Sequence, residues 1–329
     1  MFIVTGGAGF IGSNIVRNLN DKGITDILVV DNLENTEKIK NLSDLKIIDY
    51  MDKNDFFDFI LSGKKIGQVE AVFHEGACSD TMATDGKYVL HNNFTFSKML
   101  LGFCERHNSQ FIYASSASVY GAGTTFVESP EYESALNAYA WSKLLFDCYV
   151  RSLEKISVQC CGLRYFNVYG PRELHKGRMA SVAWHFRNQL NDSGSVKLFC
   201  GTDGYGNGQQ LRDFVYVDDV VNVNMFLLDN PEISGIFNVG TGRCQSFNDV
   251  ALASINYARR KSGQESVTLE EAVSAGQISY IPMPVALEGK YQSYTRASLD
   301  NLRSTGYDRA FDTVDQGVDK YMTILDQND

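Results

Sequence analysis

A glycine-rich turn near the amino terminus restricts what this chain can fold into more than any other feature. The opening stretch reads MFIVTGGAGFIGSNIVRNLN. Phe2, Ile3 and Val4 form a short apolar run of the kind that makes a strand buried on both faces. Gly6, Gly7, Gly9 and Gly12 follow, and Ile11, Ile15, Val16 and Leu19 then recur at helical spacing. A strand that turns through glycines into a helix aims unpaired N–H groups and the positive end of the helix dipole at one spot, which is an anion site. Missing side chains let a pyrophosphate approach the backbone. A second apolar run, Ile27 to Val30, ends in Asp31, at the separation expected of an acid that binds the adenosine ribose of a dinucleotide.

The units that follow repeat this plan. Strands are expected at Leu45 to Ile48, Ala71 to His74, Gln110 to Ala114 and Gln159 to Phe166. Helices are expected over Phe56 to Leu61 behind an Asp52 cap, over Lys87 to Arg106, and from about Tyr139 to Leu153. Alternating strands and helices imply an α/β fold, a doubly wound parallel sheet of the Rossmann type. Right-handed crossovers gather the strand tails at one edge, where Glu75, Gly76, Ala77, Cys78 and Ser79 would meet a ligand. Residues 1–170 are expected to form the dinucleotide domain, its core also taking elements from about 211–240. Residues 171–329 are expected to be mainly a smaller, substrate-binding α/β region. There, Gly201 to Gln210 reads as a surface loop, and Ser262 to Gln277 as an inserted loop or short helix. Ser246 with Asp249, and Thr313 with Gln316, read as capping boxes.

Composition narrows the partners. The chain has 329 residues, 44% apolar and 21% charged, as in a soluble globular protein. A net charge of −10 disfavours nucleic acid or an anionic membrane as the main partner. The apolar runs are too short for a membrane span, and no signal peptide is expected. Seven cysteines, an odd number without metal-type spacing, point to reduced thiols in a cytoplasm and to no metal site. Cys160 and Cys161 lie in an apolar run and are expected in the core.

The chemistry sits on two later stretches. Ser115 and Ser116 follow the fifth strand, at a tail where a small hydroxyl can donate to a substrate oxygen. Tyr139 and Lys143 stand four residues apart and share a helix face. An unperturbed tyrosine, with a pKa of about 10, is a poor base at neutral pH. A neighbouring ammonium and a cationic nicotinamide would both favour its phenolate, so the spacing makes Tyr139 the expected acid/base group, with Lys143 lowering its pKa.

The glycine turn, the Ser115-Ser116 tail and the Tyr139/Lys143 pair together resemble the extended short-chain dehydrogenase/reductase family. RYFNVYGPR from Arg164 to Arg172, and RDFVYVDD from Arg212 to Asp219, are similar to its sugar-nucleotide members. HEGACS from His74 to Ser79, His175-Lys176-Gly177 and Gly289-Lys290-Tyr291-Gln292 resemble the branch acting on ADP-activated heptoses. That resemblance implies conversion of ADP-D-glycero-D-manno-heptose to its L-glycero epimer at C6, a step toward the lipopolysaccharide core. The route would be transient oxidation to a 6-keto sugar, with hydride returned to the opposite face. It assigns the two acid/base roles to Tyr139 and Lys176, the ribose contact to Lys143, and a hydrogen bond to the reacting oxygen to Ser116. Cofactor contacts would come from Gly6, Gly9, Phe10, Ile11, Gly12, Asp31, Asn32, Lys38, Lys53, residues 75–79, Asn92, Tyr139, Lys143, Val168 and Lys176. Asp31 alone suggests NAD, because a carboxylate repels a 2′-phosphate. Lys38, Lys53 and the resemblance favour NADP, with NAD possible. Substrate contacts would come from Asn167, Arg178, His185, Phe199, Cys200, Gly201, Thr202, Arg212 and Tyr291, with Arg212 and His185 suited to a diphosphate. Arg178 departs from the small serine usual at its place in the family. Related enzymes assemble as homo-oligomers, commonly pentamers. A different sugar-nucleotide epimerase or a dehydratase is the alternative within the family. The dehydratase would need an acid pair where Ser118-Val119 stands. A non-catalytic dinucleotide sensor would keep the glycine turn but have no use for the Tyr139/Lys143 pair.

Overall fold

The computed structural model describes residues 1–284 and 292–327. Its strands are β1 (Phe2–Thr5), β2 (Ile27–Asp31), β3 (Asp49–Asp52), β4 (Ala71–His74), β5 (Gln110–Ser116), β6 (Cys160–Tyr165), β7 (Asn167–Tyr169), β8 (Val196–Phe199), β9 (Leu211–Arg212), β10 (Phe214–Tyr216), β11 (Gly235–Val239), β12 (Gln245–Ser246) and β13 (Ile278–Ile281). Seven form one sheet in the order β11-β6-β5-β4-β1-β2-β3, and every neighbouring pair is parallel. The helices are α1 (Phe10–Asp21), α2 (Lys53–Leu61), α3 (Gly86–Leu90), α4 (Phe96–His107), α5 (Ala138–Ser152), α6 (Val182–Ser193), α7 (Val217–Asp229), α8 (Phe247–Lys261), α9 (Leu269–Ser274), α10 (Asp300–Ser304) and α11 (Val314–Gln327).

The apolar strand runs have a simple cause. Phe2, Val4, Ile27, Val29, Ala71 and Phe73 pack on one face with Ile15, Val16 and Leu19 of α1 and Val220 and Val223 of α7. Ile3, Leu28, Val30 and Val72 turn to the other face, against Phe56 of α2, Leu100 and Phe103 of α4, and Phe146 of α5. Both faces are covered, so neither set of alternating positions can be polar. β1 lies between β4 and β2, so the chain's winding reverses there. The crevice at such a reversal is the usual ligand site of an open parallel sheet. A second core unites α6, α8 and α11 with β8, β10 and β13 through Phe186, Leu198, Val250, Ile255, Tyr321 and Met322.

Several expectations shift. The third strand is Asp49–Asp52 rather than Leu45 to Ile48, paired with Leu28–Asp31 at the sheet edge. An edge strand tolerates the acids of DYMD. Leu45 and Ile47 instead pack on the core from an irregular segment, and Ile48 is exposed. The helix expected over Lys87 to Arg106 is interrupted: one π turn, His91–Thr95, joins α3 to α4. Both capping boxes form: Ser246 and Asp249 exchange bonds of 3.1 and 2.7 Å, and Thr313 and Gln316 bonds of 2.9 and 3.3 Å. The polar stretch after Ser262 holds the short helix α9, opened by a Thr268/Glu271 capping box that the sequence reading missed. Cys160 and Cys161 are buried in the sheet.

Candidate active site

The turn from β1 to α1 closes against the tail of β4. Gly6 takes a positive φ of 67°, and a Cβ there would stand 2.6 Å from the Gly76 nitrogen. A Cβ on Gly12 would stand 2.2 Å from the Gly6 oxygen, so only glycine lets the helix start this close to the turn. The α1 N-cap, Gly9, offers no side-chain cap, and the first turn holds no acid, so the end of the helix is open to an anion. The turn forms one end of a cleft of about 700 Å³.

Asp31, buried at the tail of β2, accepts from Ala8 N at 2.9 Å through one oxygen and from Asn32 N at 2.7 Å through the other. Lys38 Nζ donates to the second oxygen at 2.8 Å and reaches Asn32 Oδ1 at 3.0 Å. Lys53 Nζ donates to Asn92 Oδ1 at 2.8 Å. A chain of polar contacts then crosses the sheet: Gly76 N to Thr5 Oγ1 at 3.3 Å, Thr5 to His74 Nδ1 at 2.6 Å, His74 Nε2 to Ser97 Oγ at 2.7 Å. Burial, with Lys143 second, holds His74 well below its ordinary pKa and keeps the ring neutral.

At the other end stand the reactive groups. Ser116 caps the one-turn helix Ala117–Tyr120, its hydroxyl accepting from Ser118 N at 3.2 Å and from Ser118 Oγ at 2.9 Å. Asn137 caps α5 and sets its first turn, which presents Tyr139 to the cleft. Lys143, one turn further on, is buried and donates to the Ala114 oxygen at 2.7 Å. Burial lowers Lys143 to about 8, against the opposing pull of Glu75 and Asp147. Tyr139 was expected to be lowered by Lys143, and here the structure differs. Burial is the largest influence on the phenol and raises it, Ser116 pulls it back, and Glu75 and Cys78 push it up. The ammonium is engaged by the β5 backbone and is not among the influences on the phenol.

Lys176 lies in the turn Leu174–Met179, its Nζ 5.0 Å from the centre of the Phe10 ring. Burial lowers its pKa, opposed by Glu173. Asn41 holds this turn beside the glycine turn, with Nδ2 3.0 Å from the Ala8 oxygen, 2.9 Å from the Arg172 oxygen and 3.2 Å from His175 Nδ1. Burial pushes His175 down to about 4.

All the expected cofactor residues line this one cleft, as do Ser116, Tyr139, Lys143, Lys176 and Asn167. The expected substrate residues are less concentrated. Arg178 is largely exposed, 3.6 Å from Asp80. His185 packs against the Trp184 ring on α6. Arg212 is buried, with its guanidinium 5.8 Å from the centre of the Phe247 ring, and Phe247 lines the cleft. Phe199 to Thr202 lie against the loop that follows them, where Gln210 donates to the Cys200 oxygen at 3.0 Å and Asn207 accepts from Gly201 N at 3.0 Å. These residues are not part of the cleft lining, and Tyr291, with its Gly289-Lys290 neighbours, lies outside the described residues. Sequence reading missed Tyr165, Phe166 and His175 as wall residues; Tyr165 and Phe166 sit in RYFNVYGPR and so carried a signal. No group of acidic, histidine and cysteine residues suited to a metal occurs among the described residues. No described helix is long and apolar enough to cross a membrane.

A parallel sheet with a glycine-lined anion site, a ribose-type acid and a Ser/Tyr/Lys group in one cleft defines a class. The chain belongs to the NAD dependent epimerase/dehydratase family, whose model matches residues 2–240. It is 58% identical over 327 residues to a protein of Thiobacillus denitrificans named ADP-L-glycero-D-manno-heptose-6-epimerase, covering 99% of this chain and 98% of that one. Its fold matches the crystal structure of the Helicobacter pylori ADP-L-glycero-D-manno-heptose-6-epimerase with a TM-score of 0.81 at 29% identity, covering 99% and 96% of the two chains. A UDP-N-acetylglucosamine 4-epimerase of Methanobrevibacter ruminantium shares the fold, with a TM-score of 0.79 at 23% identity over 100% and 98% of the chains.

Proposed function

We propose that this protein is an ADP-heptose 6-epimerase, converting ADP-D-glycero-D-manno-heptose to ADP-L-glycero-D-manno-heptose for the lipopolysaccharide core. The observation that carries the proposal is the meeting of Tyr139, Ser116, Lys143 and Lys176 in the cleft that begins at the glycine turn. The glycine cradle, the open α1 terminus and Asp31 fit a pyridine dinucleotide. When bound, it supplies an acceptor and donor of hydride, which suits a carbon whose hydrogen is not acidic. Burial raises the Tyr139 phenol, so its phenolate would have to be favoured by the positive charge of the bound cofactor; Tyr139 then takes the proton from the C6 hydroxyl in one substrate pose and returns it. Ser116 donates to the same oxygen and orients it. Lys176, lowered by burial, serves as acid/base in the other pose. Lys143 holds the nicotinamide ribose. Asn167, Arg178, His185, the segment 199–202, Arg212 and Tyr291 hold the substrate, with Arg212 and His185 on its diphosphate.

The cofactor is NADP, with NAD accepted. Lys38 neutralises the Asp31 carboxylate, which removes the repulsion a 2′-phosphate would meet, and Lys53 adds positive charge on the same side. Residues 1–170, with elements from 211–240, form the dinucleotide domain, and 171–329 mainly the substrate region. The enzyme works in the cytoplasm as a homo-oligomer, a pentamer by likeness to its family, without nucleic acid or membrane partners. The test is incubation with each ADP-heptose epimer in heavy water, followed by NMR of the sugar. Interconversion at C6 without deuterium incorporation is expected. Inversion with solvent label, or no inversion, would refute the proposal.

A further inference from the structure

One buried carboxyl in the cleft has no part in this scheme beyond a contact. Glu75 follows β4 directly, its backbone N–H donating to the Thr5 oxygen at 3.0 Å, one residue before the Gly76 that packs on Gly6. Its side chain is held from the far side of the sheet. Asn224 Nδ2 of α7 donates to the Tyr165 hydroxyl at 3.0 Å, and that hydroxyl donates to Glu75 Oε1 at 2.9 Å. The second oxygen, Oε2, is out of water and has no hydrogen-bond partner. A buried carboxylate with a single donor is poorly supported, because ionised carboxylates out of water need several donors or a close cation. Lys143, the cation that acts on Glu75, is itself engaged by Ala114.

We propose that Glu75 is a proton-linked sensor of charge in the cleft, neutral when the cleft is free and ionised when an oxidised pyridine nucleotide is bound. This rests on the nucleotide-binding reading above and adds to it. Tyr139 and Lys143 both feel the Glu75 charge, so if they hold the nicotinamide end of an oxidised cofactor, its positive charge would act on Glu75 as well. A positive charge favours the carboxylate, so binding expels a proton to solvent. Burial, the largest influence, already places Glu75 at about 7, so a modest field moves it across neutral pH. The titratable groups facing it are Tyr165 on β6 and Tyr139 and Lys143 on α5. Burial raises both phenols out of this range, whereas Lys143, at about 8, releases protons mainly above pH 7, so the count near pH 6.5 is the one that reports Glu75.

The test is calorimetric titration of NADP⁺ into the full-length protein freed of nucleotide, in buffers of different ionisation enthalpy. The buffer dependence counts protons. Near pH 6.5 the wild type should release roughly half a proton per site, and the release should fade above about pH 8. Glu75→Gln keeps the shape and should abolish the release, whereas Tyr139→Phe should leave it unchanged. Nucleotide binding without proton release, or release that survives Glu75→Gln, overturns the proposal and leaves the enzyme reading intact. Should Glu75→Gln not fold, the wild-type pH profile decides: release absent near pH 6.5 and found only above pH 8 belongs to Lys143 and overturns it. If NADP⁺ and NAD⁺ both fail to bind, this proposal and the enzyme reading fall together.

Discussion

Lys143→Met should make the fold more stable at neutral pH while it abolishes turnover. Burial takes the lysine from its ordinary 10.5 to about 8. That difference corresponds to about 3 kcal/mol of stability forgone while the ammonium is charged in both states. The sign follows from proton counting. Below pH 8 the folded and unfolded chains both hold the proton and the full cost applies. Between about 8 and 10.5 the unfolded chain holds more protons than the folded one, so stability rises with pH. Methionine keeps the apolar stem and removes the charge, but it also removes the 2.7 Å bond to the Ala114 oxygen, a loss of about 1 kcal/mol. The net gain at pH 7 is therefore about 2 kcal/mol. At pH 9.5 the wild type has recovered about 2 kcal/mol by deprotonating, so the two proteins should then be equally stable. Urea unfolding at the two pH values measures both quantities. A variant less stable than the wild type by the same margin at both would show that Lys143 is held by packing, with no electrostatic cost to its place in the cleft.

Tyr139→Phe should reduce epimerisation by roughly 10²- to 10⁴-fold, the range for losing a general acid/base, while purified protein keeps its nucleotide; turnover with ADP-heptose and nucleotide content after denaturation measure the two. Lys176→Met should impair at least one direction of the half-reaction, read by turnover from each ADP-heptose epimer separately, and full activity would remove Lys176 from the acid/base pair. Gly12→Ala places a Cβ 2.2 Å from the Gly6 oxygen, with backbone on both sides and little room to yield. It should cost about 2–3 kcal/mol in urea unfolding and lose the bound nucleotide.

What could be read from the sequence was whatever local spacing encodes. The glycine turn, Asp31 at the end of a strand, and Tyr139 four residues before Lys143 are short-range patterns, and the fold brings all of them to one cleft. The edge strand was misplaced because its acids look unlike a strand and the apolar residues before it pack from irregular backbone. The π turn left no apolar signature, since its mark is polar: Asn93 turns away from the helix to bond Cys78 through N at 2.7 Å and O at 2.9 Å. That burial raises the Tyr139 phenol was not legible for a related reason. Spacing places Lys143 on the same helix face, yet it cannot say that the ammonium will be drawn to the β5 backbone, which is distant in sequence.

Lys176 shows the same limit more sharply. Apart from the resemblance of His175-Lys176-Gly177, nothing in Leu174 to Met179 distinguishes it from a surface loop, and Gly177, at a φ of 52°, looks like an ordinary turn residue. Its place comes from three separate stretches meeting. Asn41 ends a one-turn helix after β2 and bonds both the glycine turn at Ala8 and the segment from Arg172 to His175. Arg172 returns the contact, donating to the Asn41 oxygen at 2.7 Å and pairing with Asp44. The same glycine turn therefore also sets the height of Lys176 over Phe10, and Phe10 opens α1. Tyr139 reaches the cleft by an independent route, from an α5 anchored at Asp147 through Ser115, Tyr113 and Arg164. If Tyr139 and Lys176 are the two acid/base groups proposed, separately anchored walls suit an enzyme that must meet one carbon in two orientations, because a substrate can turn between them without either wall having to move.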